Sequence, residues 1–463
     1  MPTILGANTL SSGYDVANSL RFNSADSARL TRTQTSGDRN KATFSAWVKR
    51  SKLGANQGFF GIHGASSDAG QIEIRFQSSG EGFHISGYAT NWRRTSASFR
   101  DVSAWYHLVV AFDTTLSTAG DRVKVYVNGV QTTAFAASEN PDEDEDLPFG
   151  LNGATCSVGS DFNAGSAGNF FGGYLAEVVL IDGQQLEPTS FGEFDEDSPT
   201  IWKPKDVSGL TFGNNGFYLD FEDSSSLGND AAGSNNFTAT NLAATDQSTD
   251  TCTNNFTTLN SLFPESNISY SEGNLKVSGD GSANWSSAIP TFGLTNGKWY
   301  WEWTATSSSN AFVGIVSESL IRSNSLITDT TPYDQNGLIL YFTGGRKTVD
   351  GTDTESHFTA WSSGTMSCAL DLDSGTRTIK MYHNGSQTGD TINLTGNFAS
   401  GDAVFPVFMV NSGSNTSIIN ANFGSPSYAN SSDAADGNGY GAFEYAPPSG
   451  YYAINTKNLA EHG

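Results

Sequence analysis

Charged residues are scarce in this chain. Asp, Glu, Lys and Arg make up 16% of its 463 residues, against roughly 25% in an average soluble domain, which excludes coiled coils and long helical arrays. Cysteine is scarcer still. Cys156, Cys252 and Cys368 stand far apart without CxxC or Cys/His spacing, so buried thiols are expected rather than a disulfide framework or a zinc centre. No apolar run approaches the ~18 residues of a membrane span. The opening MPTILGANTLSSGYD has no basic stretch followed by an apolar one, which argues against a signal peptide. The six histidines, His63, His84, His107, His357, His383 and His462, form no HxH or HExxH pattern, which removes the common zinc hydrolases. A GxSxG elbow, a P-loop and a GxGxxG opening a helix are also missing, so an intracellular metabolic enzyme is not expected.

What is present is glycine and aromatic side chains in short apolar bursts. There are 50 glycines, and Phe, Trp and Tyr make up 12% of the chain, the texture of an all-β protein with many turns. From Ser19 to about Glu187 the segments SLRFN, KATFSAWVKR, FFGIHG, QIEIRF, WYHLVVAFD, DRVKVYVNGV and GGYLAEVVLIDG alternate in the strand manner, and both faces are often apolar, as in His107–Phe112. A second series begins near Ser269 with LKVSG, KWYWEW, AFVGIV, GLILYF, MSCALDLD, RTIKMYHNG, VFPVFMV and SIINANFG. The expected fold is all-β, two antiparallel β-sandwich (jelly-roll) domains joined by an irregular connector. Its parts are an N-terminal arm (1–14), a first sandwich (15–188), an acidic, Asn/Ser/Gly-rich connector (189–265) and a second sandwich with a C-terminal tail (266–463). Both sandwiches contain an apolar strand ending in Asp, a turn, and a strand ending in Tyr-x-Asn-Gly, at 109–129 and 369–385. Asn-Gly supplies the positive φ values of a tight hairpin, so the recurrence reads as turn chemistry.

The net charge of -24 is unevenly spread. Residues 1–138 hold 14 Lys/Arg against 9 Asp/Glu, whereas residues 139–200 hold 14 Asp/Glu and no Lys or Arg. So acidic a chain is a poor partner for nucleic acid or anionic membranes. Its charge asymmetry suggests polar contacts between copies, hence a homo-oligomer.

The stretch TFSAWVKR to YLAEVVLIDGQQL, within residues 15–188, resembles a concanavalin A-like, laminin-G-like domain. FGEFDEDSPTIWKPK and NGFYLDFEDSSSLGNDAAGSNNFTATN resemble the continuation found in structural proteins of marine tailed bacteriophages. GKWYWEW, FVGIV, MYHNG, FPVF and ANFG fall in the order of a SPRY-like domain. These resemblances imply a protein of the virion surface, a fibre-like appendage or head decoration, with other virion structural proteins and a host surface glycan as partners. Sandwiches of this kind serve as lectins, adhesins, glycanases and spacers, so fold does not decide among them. The alternatives are a free carbohydrate-binding lectin and a glycan-degrading enzyme.

The search for chemistry returns few candidates. Glu193, Asp195 and Asp197 are the nearest approach to the Glu-x-Asp-x-Glu strand of glycanases, but they follow a Phe-Gly turn in the connector, so no catalytic residues and no enzymatic activity are expected. His107 reads as structural. The run Asp142 to Asp146 reads as a solvated loop. Because laminin-G-like domains bind calcium at the rim, Asp142, Asp144 and Asp146 are the candidate ligands, and no other cofactor is expected. Tyr88, Trp92, Arg93 and Arg94 form the sharpest binding candidate, rings to stack on sugars beside guanidinium groups for acidic substituents. In the second half Tyr333, Arg346, Lys347 and Trp361 occupy loops where SPRY-like domains bind partners.

Overall fold

In the computed structural model the chain divides into two compact units, one running to Asn254 and the other from Asn255 to Gly463. The structure describes residues 13–463 apart from 264–266, 280–284, 306–310, 324–334, 362, 395–397, 399–400 and 412–416. The first unit begins with strands β1 (Ser19–Phe22), β2 (Arg29–Thr33), β3 (Lys41–Arg50), β4 (Gln57–His63), β5 (Gln71–Phe76), β6 (Gly82–Ser86) and β7 (Arg93–Ser98). It continues with β8 (Trp105–Asp113), β9 (Val123–Val127), β10 (Val130–Gln131), β11 (Phe135–Ser138), β12 (Thr155–Val158), β13 (Asp161–Asn163), β14 (Ser166–Gly168) and β15 (Gly173–Asp182). Five short strands follow, β16 (Gly192–Phe194), β17 (Trp202–Pro204), β18 (Phe217–Leu219), β19 (Thr238–Thr240) and β20 (Gln247–Ser248).

Two antiparallel sheets face each other. One has the order β10-β9-β8-β3-β15-β1-β20 with β18 also on β15; the other runs β11-β7-β6-β5-β4-β12-β2-β19. The alternation of β3 and β8 explains the packing. Ala42, Phe44, Ala46, Val48, Leu108, Val110 and Phe112 point into the core between the sheets, against Phe59, Phe60, Ile72, Ile74 and Phe83. The intervening residues point outward and are apolar too. Val109, Ala111, Val179 and Ile181 are buried under Phe191, Val207 and Tyr218, and Trp47 and Ala176 lie under Val16, Trp202 and Cys252. The second apolar face is therefore covered by later chain, not by a sheet.

This corrects the expected connector. β18 pairs with β15, β19 with β2, and β20 with β1, so residues 189–254 complete both sheets and roof the first. Polar composition disguised this role, because each covering strand contributes only two or three residues between long turns.

The second unit is a sandwich of the same class. One sheet joins Ile268–Ser271, Lys276–Gly279, Ile418–Asn422, Lys298–Ala305, Thr365–Asp371, Thr378–His383 and Ser386–Asn393; the other joins Trp285–Ala288, Val404–Asn411, Ala311–Ser317, Leu338–Phe342, Lys347–Val349 and Thr352–Thr354. Trp299, Trp301 and Trp303 of KWYWEW all enter its core. Residues 255–263, expected in the connector, belong here, with Leu259 in that core. The stretch expected as a C-terminal tail is docked. Glu302, fully buried on the outer side of its strand, accepts the Glu444 and Tyr445 N–H groups at 2.7 and 2.9 Å, and Asp436 accepts Ala453 N and Asn458 Nδ2.

The paired Asn-Gly turns behave as expected from turn chemistry. Asn128 and Gly129 have φ of 47° and 77°, Asn384 and Gly385 of 49° and 76°, the signs of a type I′ hairpin. Each Asn side chain accepts a backbone N–H of the preceding strand, from His107 at 2.8 Å and from Thr365 at 3.0 Å. A later aromatic seals each turn: a Cβ on Gly129 would lie 2.2 Å from the Trp202 ring, and one on Gly385 2.5 Å from Tyr445. Gly129→Ala should therefore lower stability by about 2 kcal/mol or more through strain and overpacking, read as a lower thermal midpoint. Val130→Ala, one residue on at an exposed position, should leave the midpoint within a degree or two.

Candidate functional site

The four residues expected to form the first binding segment meet different fates. Trp92 is fully buried, edge-to-face with Phe112 at 5.8 Å in the core, and so cannot stack on a ligand. Arg93 is 3% exposed and acts as a staple. Its Nη1 donates to the Trp92 and Glu139 carbonyls, its Nη2 to Asn140 Oδ1, and its guanidinium lies over the Phe135 ring. Arg94 is half-buried on the outer face of the sheet, donating to Gln77 Oε1 at 3.2 Å. Tyr88 is 54% exposed on the β6–β7 loop, which Asp68 pins by accepting Ala89 N, Thr90 N and Thr90 Oγ1. In a seven-residue window without periodicity, sequence does not tell an anchor from a ligand contact.

The other candidates do not converge either. Asp146 pairs with Arg39 at 3.2 Å, Asp142 offers its backbone N–H to Glu145, and Asp144 donates its N–H to the Thr114 carbonyl. Among the described residues no three His, Cys, Asp or Glu side chains are placed to hold a metal. Glu193 and Asp195 both reach Lys203, at 3.5 and 3.3 Å, on the β16–β17 hairpin outside the sandwich sheets. In the second unit Arg346 pairs with Asp353 over the Phe342 ring, Lys347 is half-buried, and Trp361 is 6% exposed within the core. Tyr333 lies outside the described residues. The excess of basic residues before 139 is spent inside the unit, in pairs Arg21–Asp246, Lys49–Asp250, Arg122–Glu143 and Lys124–Glu187. His107 is structural, as expected. Trp202 Nε1 donates to its Nδ1 at 2.9 Å, so the proton sits on Nε2 and goes to Ser45 Oγ, also at 2.9 Å.

The structure assembles a different site, on the outer face of the second sheet. Directly opposed residues share a face, and the register sets Arg94, His84 and Arg75 in one row, Ser86, Glu73 and Gly61 in the next, and Gln71 and His63 in a third. Gly61 is kept bare because the β13–β14 hairpin rests on it: a Cβ there would lie 2.9 Å from Asp161 Cα and 3.1 Å from the Phe162 ring. Phe162 stacks on His63 at 5.5 Å. Arg75 Nη1 lies 2.5 Å from Glu73 Oε2 and 3.1 Å from Asp161 Oδ2, so one guanidinium serves two carboxylates. Gln71 and Ser86 donate to Glu73, and Asn169 to Asp161. Burial pushes Asp161 up to about 7 against the pull of Arg75. Burial raises Glu73 as well, again opposed by Arg75. Burial and the neighbouring Arg75 hold His84 down to about 4, leaving the ring neutral at pH 7. The alternation of QIEIRF predicted the strand, but Asp161 comes 86 residues after Arg75 and no local pattern links them.

A two-layer antiparallel sandwich with a polar outer sheet face is the class of fold defined here. Residues 14–187 match the family model described as the concanavalin A-like lectin/glucanases superfamily. Among solved structures the chain is similar to stonustoxin, at 19% identity and a TM-score of 0.28, covering 36% of this chain and 27% of that one. The SPRY domain of human HERC1 follows at 16% and 0.25, covering 32% of this chain and 87% of that domain. The heptameric SAP-like pentraxin of Limulus polyphemus aligns at 16% and 0.30, covering 38% and 80%. The chain thus spans about a quarter of the stonustoxin chain. No curated protein matches it.

A second buried acid sets the pH response of the first unit. Glu177 sits at a β-bulge with φ of 50° and receives the Tyr218 hydroxyl, itself 2.9 Å from the Tyr14 hydroxyl. Burial pushes it from 4.5 up to about 8. The unfolded chain then loses this proton at lower pH than the folded one, so the contribution to stability is complete below about pH 4.5 and is lost as pH rises through 8. Asp161 acts in the same direction up to about 7. His84 and His107, depressed from 6.5 to about 4 and about 3, lower stability in acid, and only below pH 6.5. Thermal stability of the first unit should therefore fall between pH 6.5 and 8, and Glu177→Gln should flatten that limb while leaving the acid limb unchanged. A midpoint that rises across this interval would contradict the assignment.

Proposed function

We propose that this protein is a non-enzymatic, carbohydrate-adhesive component of a phage virion surface, a fibre-like appendage or head decoration, present as a homo-oligomer beside other virion structural proteins. One observation carries the adhesive part. The segment matching the concanavalin A-like lectin/glucanase family carries the exposed ring of Tyr88 on the loop that follows β6, beside a polar set, Gln71, Glu73, Arg75, His84 and Ser86, that is largely buried and holds the sheet beneath that loop. A free lectin is the second reading and uses the same face. The virion assignment is supported by the resemblance of residues 191–205 and 215–241 to phage structural proteins. Repetition of a weak site in an oligomer would raise avidity without new contacts.

The absence of catalysis is inferred from the state of the acids. Glu73 and Asp161 are both bound to Arg75, and Asp161 is fully buried. A glycanase pair needs one carboxyl free to reach the scissile oxygen and another free to reach the anomeric carbon or a water. The purified protein should be retained by insoluble polysaccharides, should release no reducing ends from them, and should be retained equally in EDTA. Loss of retention with every polysaccharide tested would end the adhesive reading, and sugar release abolished by Glu73→Gln would replace it with a hydrolase. Peptides of this chain should copurify with banded phage particles; their absence would favour the free lectin.

A further inference from the structure

Lys49 and Asp250 are a charge pair withdrawn from water, each side chain keeping 1% of its surface exposed, with Nζ 2.7 Å from Oδ2. Lys41 and Lys124, paired with Asp113 and Glu187, keep 37% and 21%. Full enclosure changes what such a pair can do. It disfavours both charged forms, and burial holds the Lys49 ammonium below the usual lysine range against the pull of Asp250. Passing one proton from Nζ to the carboxylate leaves an amine beside a carboxylic acid, the two reactants of an amide. We propose that these side chains condense, so that an isopeptide bond from Lys49 Nζ to Asp250 Cγ fastens the segment after β20 to β3. The bond would form whether or not the protein binds glycans.

The geometry favours reaction. A hydrogen bond of 2.7 Å to Oδ2 leaves Nζ roughly 3.5 Å from Cγ, the separation of a near-attack arrangement. Both partners are fixed before they meet. Lys49 lies directly between Trp105 of β8 and Tyr174 of β15 in the sheet register, its Nζ 5.6 Å from the Tyr174 ring centre. On the other side, Ser19 Oγ donates to the Asp250 carbonyl at 2.6 Å, and the Asp250 N–H donates to Ser248 Oγ at 3.1 Å. Trp105 Nε1 donates to Oδ1 at 3.2 Å, where negative charge gathers as the amine adds to Cγ. The C–N bond forms, Cγ–Oδ2 breaks, and Oδ2 leaves as water with the carboxylic proton and one proton of the amine. No oxidant, reductant or second substrate enters. Val16, Trp47 and Cys252 pack beside Trp105 and Tyr174, so the surroundings are largely apolar. Condensation there replaces two buried charges by a neutral amide, whereas an ion pair gains little against its desolvation.

Mass spectrometry of the whole protein, denatured, tests this. The expected mass lies about 18 Da, one water, below that of the amino-acid sequence with Met1 kept or removed. After digestion residues 42–50 should be recovered joined to the peptide that contains Asp250, because an acylated Lys49 no longer admits trypsin. Lys49→Met should restore the full mass and migrate more slowly in a denaturing gel, since the bond closes a loop across 201 positions of the chain. Lys41→Met should keep the deficit. Should Lys49→Met not fold, by circular dichroism, the joined peptide of the unsubstituted protein decides alone. Full sequence mass, with Lys49 and Asp250 recovered in separate peptides, would overturn the inference. So would a deficit that persists in Lys49→Met or maps to an Asp-Gly step such as Asp182–Gly183, where a backbone succinimide loses the same water.

Discussion

Strands β3, β8 and β15 carry apolar side chains on both faces, and water must be kept from both for the first sheet to persist. One face is closed by the second sheet through Phe44, Phe59 and Phe60. The other is closed by Trp202, Phe191, Val207 and Tyr218, all supplied by chain that follows the sandwich. Two residues of this roof, Trp202 and Tyr218, are each held by a specific polar contact. Trp202 donates to His107, which stacks on Trp47 at 4.8 Å, and Tyr218 donates to Glu177. Lys49 and Asp250, each 1% exposed, meet at 2.7 Å, and Trp105 Nε1 donates to the same carboxylate. Burying such a pair gains little net energy against its desolvation. Its geometric demand is strict, and it ties the segment around β20 to β3 in one register.

The roof explains why the opposite side of the unit is free to be polar. With the first sheet enclosed, the polar side chains gather on the outer face of the second sheet, where most of them are buried against one another and the β13–β14 hairpin. That face carries Gln71, Glu73, Arg75, His84, Ser86 and Arg94 instead of apolar residues. The β13–β14 hairpin leans on it over Gly58 and Gly61, where Cβ atoms would collide with Asp161. Two glycines thus bring a distant aspartate against Arg75 and convert a flat polar sheet into a built site. The same economy appears in the second unit, where Gly385 admits Tyr445 and Glu302 fastens residues 444 and 445.

The charge pattern changes its meaning between chain and fold. Fourteen Lys and Arg in the first 138 residues suggest a basic surface, yet Arg21, Lys49, Arg50 and Arg75 are buried or nearly so against carboxylates. Several of their partners lie in the acidic stretch downstream. The asymmetry along the sequence is largely neutralised within one unit, so screened attraction between copies is a weaker basis for assembly than it seemed from composition.

Strand periodicity, the Asn-Gly turns and the all-β class were legible in the chain because they depend on neighbours within about ten residues: KATFSAWVKR and WYHLVVAFD alternate visibly, and Asn-Gly dictates its own backbone. His107 as a packed residue was legible for the same reason. The roles of Trp92 and Arg93 were not, because orientation in a loop is set by what packs on it, here Phe112 and Phe135. The roof was hidden because strands of two or three residues carry no period, and the pairings of β18 with β15 and β19 with β2 join segments far apart in the chain. The polar face required the register of four strands and the approach of Asp161 across two glycines. Contacts of that separation exist only once the sheets have formed, and tertiary structure alone decided them.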